Sequence, residues 1–221
     1  MLHVSDAVEG VVTLTLDRPD KRNALSIALR DAISDALDAL AVDERVRCVV
    51  VTGNGPVFSA GFDLAEMQVA DAEHQARLWA SADRYHRTVL EFPLPTVAAL
   101  NGLAIAGGFD LAVLCDLRVA ADTVRFAHPE HQWTDVVYGP LHDLVGGAVA
   151  RDLCLTGREV DAAEALRLGL VTRVVARDEL TGVVDELTAR IASAPRELVM
   201  RTKAKALARA RLRDADGRLA L

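Results

Sequence analysis

The stretch NGLAIAGGFDLA, residues 101–112, sets one carboxylate, Asp110, in a run that otherwise holds apolar and small residues around Asn101. A closely similar turn occurs earlier: AGFDL at 60–64 is matched by GGFDL at 107–111, and each follows an apolar run. Both read as the end of a buried strand followed by the start of an apolar helix. A small residue or glycine there lets the backbone approach a ligand closely, and the first N–H groups of a helix have no partner within it. Two such turns side by side would aim two free N–H groups at one point. That is an oxyanion hole, able to stabilise negative charge developing on a carbonyl oxygen. The same pattern also suits two ordinary tight turns, each with its Asp against a helix dipole. Asp110, three residues after Gly107, falls on one helix face with Val113, Leu114 and Leu117, so its carboxyl is expected to face a partly apolar space. Desolvation and a second acid nearby would raise its pKa, the condition for general acid work; an arginine partner would make it a structural buried acid instead.

The elements that must hold these turns alternate along the chain. Residues 10–19, GVVTLTLDRP, alternate Val12, Leu14 and Leu16 against Thr13 and Thr15 and stop at proline, as a half-buried strand does. From Ser26, Leu29, Ile33, Leu37 and Leu40 recur at helical spacing with Asp31, Asp35 and Asp38 opposite. VRCVVVTG (46–53) and TVAALNG (96–102) are continuous apolar runs bounded by turn residues, the pattern of strands covered on both faces, and a polar helix over about 72–91 separates them. Short strands are expected at LRVAA (117–121) and VRFA (124–127), then helix, strand at VTRVV (171–175) and two further helices. Strands and helices in alternation imply an α/β core with parallel pairing.

A chain of 221 residues, 51% hydrophobic, is long for one domain and short for two. It reads as a core over residues 1–177 with a C-terminal helical segment over 178–221. A net charge of −7 argues against nucleic acid or an anionic membrane surface as the main partner, since both are bound through clustered Lys and Arg. The uncharged run from Phe92 to Phe109 is broken by Pro93, Pro95, Asn101, Gly102, Gly107 and Gly108, which argues against a membrane span, and the first ten residues do not read as a secretory signal. Cys48, Cys115 and Cys154 sit among apolar neighbours without metal-ligand spacing; they read as reduced core thiols, which points to the cytoplasm.

The order VVVTGNGPVFSAGFDL, FPLPTVAALNGLAIAGGFDLAVLCDLRVAADTVRFAHPE and LTGREVDAAEALRLGLVTRVV, with LDRPDKRNAL before it, resembles the crotonase, or enoyl-CoA hydratase/isomerase, superfamily. The resemblance implies a spiral of repeated ββα units with a C-terminal helical region, here shortened. It implies that the backbone N–H groups of Ala60 and Gly107 hold the thioester oxygen of an acyl-CoA, and that Asp110 and Glu130 are the acid/base pair. It places LDRPDKRNAL and the turn at 60–63 along the CoA, so that Lys21, Arg22, Ala24, Ala60, Gly61, Phe62, Asp63 and Gly107 form the binding set. Arg18, Lys21 and Arg22 supply positive charge there, with Lys21 or Arg22 expected on a phosphate; three solvated surface charges are the plainer reading of that segment. No resident cofactor is implied, since the CoA thioester is the substrate, and a homotrimer or dimer of trimers is implied. HPEH, with His128 and His131 around Glu130 and with Asp135 and His142 beyond, lacks clear metal-ligand spacing, and no metal is expected. Trp133 and Tyr138 read as pocket-lining or core residues.

The chain departs from the family pattern in three places. Asp110 stands where a glutamate is usual, a combination with glutamate at the second position that also occurs among dienoyl-CoA isomerases; their third acid would fall near Tyr138, with Asp135 close enough to substitute. After HPE the usual glycine-rich stretch is replaced by the shorter TDVVYGPLHDLVGG, in a segment that normally lines the acyl pocket. By resemblance, the family normally continues for further helices beyond RELVMRTKAKALARARL, so a shortened C-terminal region is expected here. Three functions are therefore implied: a 2-enoyl-CoA hydratase, a double-bond isomerase, and an acyl-CoA binding paralogue without catalysis.

Overall fold

The two continuous apolar runs become adjacent central strands. In this computed structural model, which describes residues 1–210, a six-stranded sheet has the order β1 (Leu2–Val4), β2 (Val11–Leu16), β3 (Cys48–Gly53), β5 (Thr96–Leu100), β7 (Leu117–Ala121), β10 (Arg173–Val175). Every neighbouring pair is parallel except β1 with β2. A second sheet runs β4 (Val57–Ser59), β6 (Leu103–Ile105), β8 (Arg125–Ala127), β9 (Val160–Asp161). Three times a strand of the large sheet is followed by a strand of the small one and then by helix: β3–β4, β5–β6 and β7–β8. This is the expected spiral of ββα units.

Helices begin where the sequence supplies caps. The Ser26 hydroxyl accepts from Leu29 N at 3.3 Å and opens α1 (Ile27–Val42), which buries Leu29, Ile33 and Leu37. Asp71 accepts from His74 N at 2.8 Å and opens α3 (Ala72–Glu91), which buries Leu78, Ala82, Tyr85 and Val89. The two helices pack together, and Arg84 ties them to Asp35 and Asp38 at 2.7 and 2.8 Å. Every residue of α4 (Gly107–Leu114) is buried, so its start is fixed against the core.

Strand alternation sends Val49 and Val51 into the main core and Cys48 and Val50 to the opposite face. That face, completed by Val97 and Val119, is covered by Leu180 and Val184 of α7 (Leu180–Ala192). Burying each such side chain stabilises by about 1.5–3 kcal/mol, so α7 is part of the sheet's packing. α8 (Arg196–Ala210) follows; residues 211–221 of the expected C-terminal segment lie outside the described residues.

Some elements differ from the sequence reading. The turn at 60–64 opens only one exposed helical turn, α2 (Leu64–Met67), with Leu64 63% exposed, so the repetition lies in the turn and not in an apolar helix after it. The shorter stretch TDVVYGPLHDLVGG (134–147) runs from Gly139 into α5 (Gly139–Thr156), which is interrupted at Gly146, whose φ of 76° is open to glycine at no steric cost. The connecting helix α6 (Ala162–Leu168) is where expected. All three cysteines are buried and free, and no described helix is long and apolar enough to cross a membrane.

Candidate active site

Because β4 and β6 pair in parallel, with Ser59 opposite Ala104, the turns that leave them lie against each other. The approach is close: Gly61 has φ +87°, and a Cβ there would sit 2.8 Å from Ala106 Cβ and 2.9 Å from Gly107 N. Ala106 takes φ 53° and ψ −131°, a conformation that costs a non-glycine residue on the order of 1–3 kcal/mol and persists only where surrounding contacts fix it. Gly107 is the first residue of α4, so its N–H has no partner in the helix.

The donor on the first turn is displaced from the expected position. Ala60 N–H is donated to the Arg22 carbonyl at 3.0 Å, because the segment before α1 closes over it, so Ala60 is not a free donor. The parallel bridge between Leu25 and Phe62 uses the Gly61 carbonyl, which accepts from Leu25 N at 2.8 Å. Phe62 N–H is thereby left without a protein acceptor among the described residues. It lies beside the second turn, 3.5 Å from where a Gly107 Cβ would be. The paired free N–H groups are those of Phe62 and Gly107. Arg30, fully buried, braces this arrangement: it donates to the carbonyls of Leu25 (2.8 Å) and Leu78 (3.0 Å), and its guanidinium lies 4.2 Å above the Phe62 ring.

Asp110 and Glu130 come together as expected, 7% and 8% exposed, and the fully buried His128 stands between them. His128 Nδ1 is 2.9 Å from Glu130 Oε1 and 3.8 Å from Asp110 Oδ1. Its ring stacks on Phe109 with centroids 4.5 Å apart. Glu130 is carried by the short 3-10 turn Pro129–Gln132 and Asp110 by α4. Burial pushes the Asp110 carboxyl up to about 7; the His128 ring opposes this, the Glu130 charge adds to it, and the backbone N–H of Val137 nearby opposes it. Asp110 Oδ1 and Glu130 Oε2 are buried without a hydrogen-bond partner. No arginine pairs with Asp110 among the described residues. Val113 and Leu114, expected on its face, instead line a separate cavity shared with Leu207 of α8. Asp110, His128 and Glu130 each place one possible ligand atom within 4.8 Å of the others, a proximity the spacing of HPEH did not disclose.

The carboxylates and Gly107 open into a cavity of about 450 Å³ whose walls include Phe62, Met67, Trp79, Ile105, Trp133 and Val136. Ala60, His86 and the exposed Asp135 also line it, with Arg22 as its basic lining residue. The rest of the expected binding set is occupied otherwise. Arg18 is ion-paired with Asp63 at 3.0 Å and donates to the Ala24 carbonyl at 2.6 Å, while Asp63 also caps α2 through Ala65 N. Arg18, Ala24 and Asp63 thus brace the turn. Lys21 is exposed on the short turn Pro19–Lys21 and Arg22 follows at φ 51°; among the described residues neither has an ion-pair partner. The sequence reading missed Asn23, fully buried, which accepts from Arg18 N and donates to the carbonyls of Asn54 and Val57. It also missed Arg30, His86 and the part played by His128. Asn23 left a legible signal, since a polar residue at φ 53° belongs in a left-handed turn.

Comparison with known proteins gives the family. Residues 6–219 match the family model described as enoyl-CoA hydratase/isomerase. A protein of Mycobacterium leprae named probable enoyl-CoA hydratase echA8 is 39% identical over 180 residues, covering 79% of this chain and 69% of that one. The crotonyl-CoA hydratase of Syntrophomonas wolfei is 35% identical over 204 residues, covering 90% and 78%. The crystal structure of an enoyl-CoA hydratase from Bacillus anthracis superposes with a TM-score of 0.87 at 31% identity, covering 92% of this chain and 81% of that one. With a buried carboxylate pair beside two free N–H groups, and with relatives matched along most of its length, the chain belongs to the enoyl-CoA hydratase/isomerase family.

Proposed function

We propose that the protein hydrates 2-enoyl-CoA thioesters. The observation that carries this reading is the convergence of two unclaimed backbone N–H groups and two buried carboxyls on one apolar cavity. The thioester oxygen sits between Phe62 N–H and Gly107 N–H, which stabilise the enolate; losing one such donor typically costs about 10²–10³ in rate. Glu130 takes a proton from water as the water oxygen bonds to C3. The electron pair of the double bond moves toward the thioester, and Asp110, whose carboxyl is pushed up to about 7, delivers its proton to C2. The product is a 3-hydroxyacyl-CoA, and the two carboxyls reset by exchange with solvent. Arg22, lining the cavity, and the nearby exposed Lys21 take the CoA phosphates. The chemistry uses the chain's own groups and needs no resident metal or cofactor.

Asp135 on the cavity wall favours a second reading, a double-bond isomerase in which carboxyls move a proton along the acyl chain. Incubation with crotonyl-CoA and with a 3-enoyl-CoA separates the two. Loss of conjugated thioester absorbance on the first supports hydration, gain of it on the second supports isomerisation, and silence on both with acyl-CoA bound removes the catalytic reading. By family resemblance the assembly is a homotrimer or dimer of trimers, and the buried free thiols suit the cytoplasm. Light scattering that found only monomer at high concentration would overturn the assembly.

A further inference from the structure

Neither carboxyl holds His128 by accident of packing. The ring is fully buried, its face is fixed on Phe109, and the next residue, Pro129, restricts its backbone. The His131 ring donates from Nδ1 to the His128 carbonyl at 2.8 Å and fixes the backbone from the other side. Nε2 is buried without a partner, so a proton there would be an unpaired donor, whereas a proton on Nδ1 meets an acceptor at 2.9 Å. The proton of the ring therefore sits on Nδ1 and is donated to Glu130 Oε1.

We propose that His128 is a positioning residue that sets the proton order of the pair: by donating to Glu130 it keeps that carboxylate the base and leaves the pair's proton on Asp110. The geometry is unequal, 2.9 Å to Glu130 against 3.8 Å to Asp110, and this inequality makes two similar buried acids different. A hydrogen bond to a carboxylate favours its charged form, and a second carboxyl nearby then keeps its proton. The other titratable groups facing the pair do not compete. Cys154, on α5, has its thiol pushed up to about 11 and Tyr85, on α3, has its hydroxyl pushed well above the ordinary range, both by burial. Asp135 is exposed, and His131 is bonded to the backbone of His128. The elevated Asp110 carboxyl agrees with the assignment.

The role in turnover rests on the hydratase reading, but the proton order does not, so the test reads both. Infrared difference spectra across neutral pH should show one buried carboxylic acid band in the wild type, retained in Glu130→Gln and absent in Asp110→Asn. In His128→Leu a second component should appear and should persist when Asp110→Asn is added. Hydration by His128→Leu should fall roughly 10- to 100-fold in kcat with KM changed by less than about threefold, and the acid limb of its pH profile should move toward neutral. His128→Asn, whose amide N–H reaches the Nδ1 position, should restore most of the rate and the single band. Should the Leu variant not fold, His128→Gln takes its place against His128→Asn. A band lost in Glu130→Gln, a folded Leu variant with unchanged spectrum and profile, or a loss of rate that Asn shares with the profile unmoved would each overturn the proposal. A wild type that hydrates no enoyl-CoA would sink the proposed function while the spectra still decide the role of His128.

Discussion

Asp110 and Glu130 are equally enclosed, and their partners make them different. Glu130→Gln keeps the shape of the side chain and loses the base, so kcat should drop by about 10²–10⁴ with acyl-CoA affinity nearly unchanged. Stopped-flow binding beside steady-state hydration measures both, and undiminished turnover would remove Glu130 from the chemistry. Asp110 has a consequence for stability as well. Its carboxyl ionises near 3.8 in the unfolded chain and at about 7 in the folded one. Between those values the folded state binds the extra proton, so its stability falls as pH rises from about 4 and levels off above about 7. Asp110→Asn carries no such charge. It should therefore gain thermal stability relative to the wild type as pH is raised from 4 to 8, on the order of a few kcal/mol, while losing hydration. Calorimetry at several pH values checks this; a stability difference that does not change with pH would mean that Asp110 is ionised in the folded protein near neutrality.

The two turns work as one element, and Gly61 is where they touch. Its positive φ is unfavourable for any side chain, and an added Cβ would press on Ala106 Cβ and Gly107 N, both within 3 Å. Gly61→Ala should destabilise by about 1–3 kcal/mol and lower kcat by at least tenfold, because Phe62 N–H and Gly107 N–H would be forced apart. Denaturant unfolding paired with the hydration assay tests it; a stable, fully active variant would place the oxyanion elsewhere. This element also shows what the sequence made legible. The repeated small-residue turns and the apolar runs before them fitted either two converging N–H groups or two ordinary tight turns, and only the family resemblance favoured the first. Which N–H is free depends on a third segment, because Arg22 is distant in sequence and its carbonyl claims Ala60 N–H. α1 was readable from Ser26 and its apolar spacing, and α3 as a polar stretch separating two apolar runs. Strands β4, β6 and β9 were not, since two or three residues carry no period and their pairing is set by the large sheet. Asp110 stood out as a carboxylate in an apolar run and Glu130 was found by family pattern, whereas His128 read only as a weak metal ligand, because its meaning lies in two distances that no spacing encodes.

At the scale of the whole molecule, the sheet is closed from both sides by segments far apart in the chain. One face packs on α1, α3 and α4, the other on α7, and α8 fastens the C-terminal helices to the core through a buried cation. Lys203 Nζ donates to the Leu94 carbonyl at 3.0 Å and to Asp116 Oδ2 at 2.7 Å. The same Asp116 oxygen accepts from Thr96 N and Thr96 Oγ1, so one carboxylate joins the starts of β5 and β7 to α8. Lys203→Met keeps most of the aliphatic stem and removes the charge, leaving the Leu94 carbonyl unpaired. Asp116 retains its threonine bonds and part of its side chain reaches solvent, so the cost should sit near 1–3 kcal/mol, below that of breaking a fully enclosed pair. For a chain of this size that corresponds to a fall in Tm of roughly 2–12 °C. The cavity shares no lining residue with this tie, so kcat and KM for crotonyl-CoA should remain within about twofold of the wild type below the new transition. Calorimetry and the hydration assay on one preparation decide the matter. An unchanged Tm would mean that α8 is held by apolar contacts alone, and a loss of activity at unchanged Tm would mean that the C-terminal helices act on the site itself.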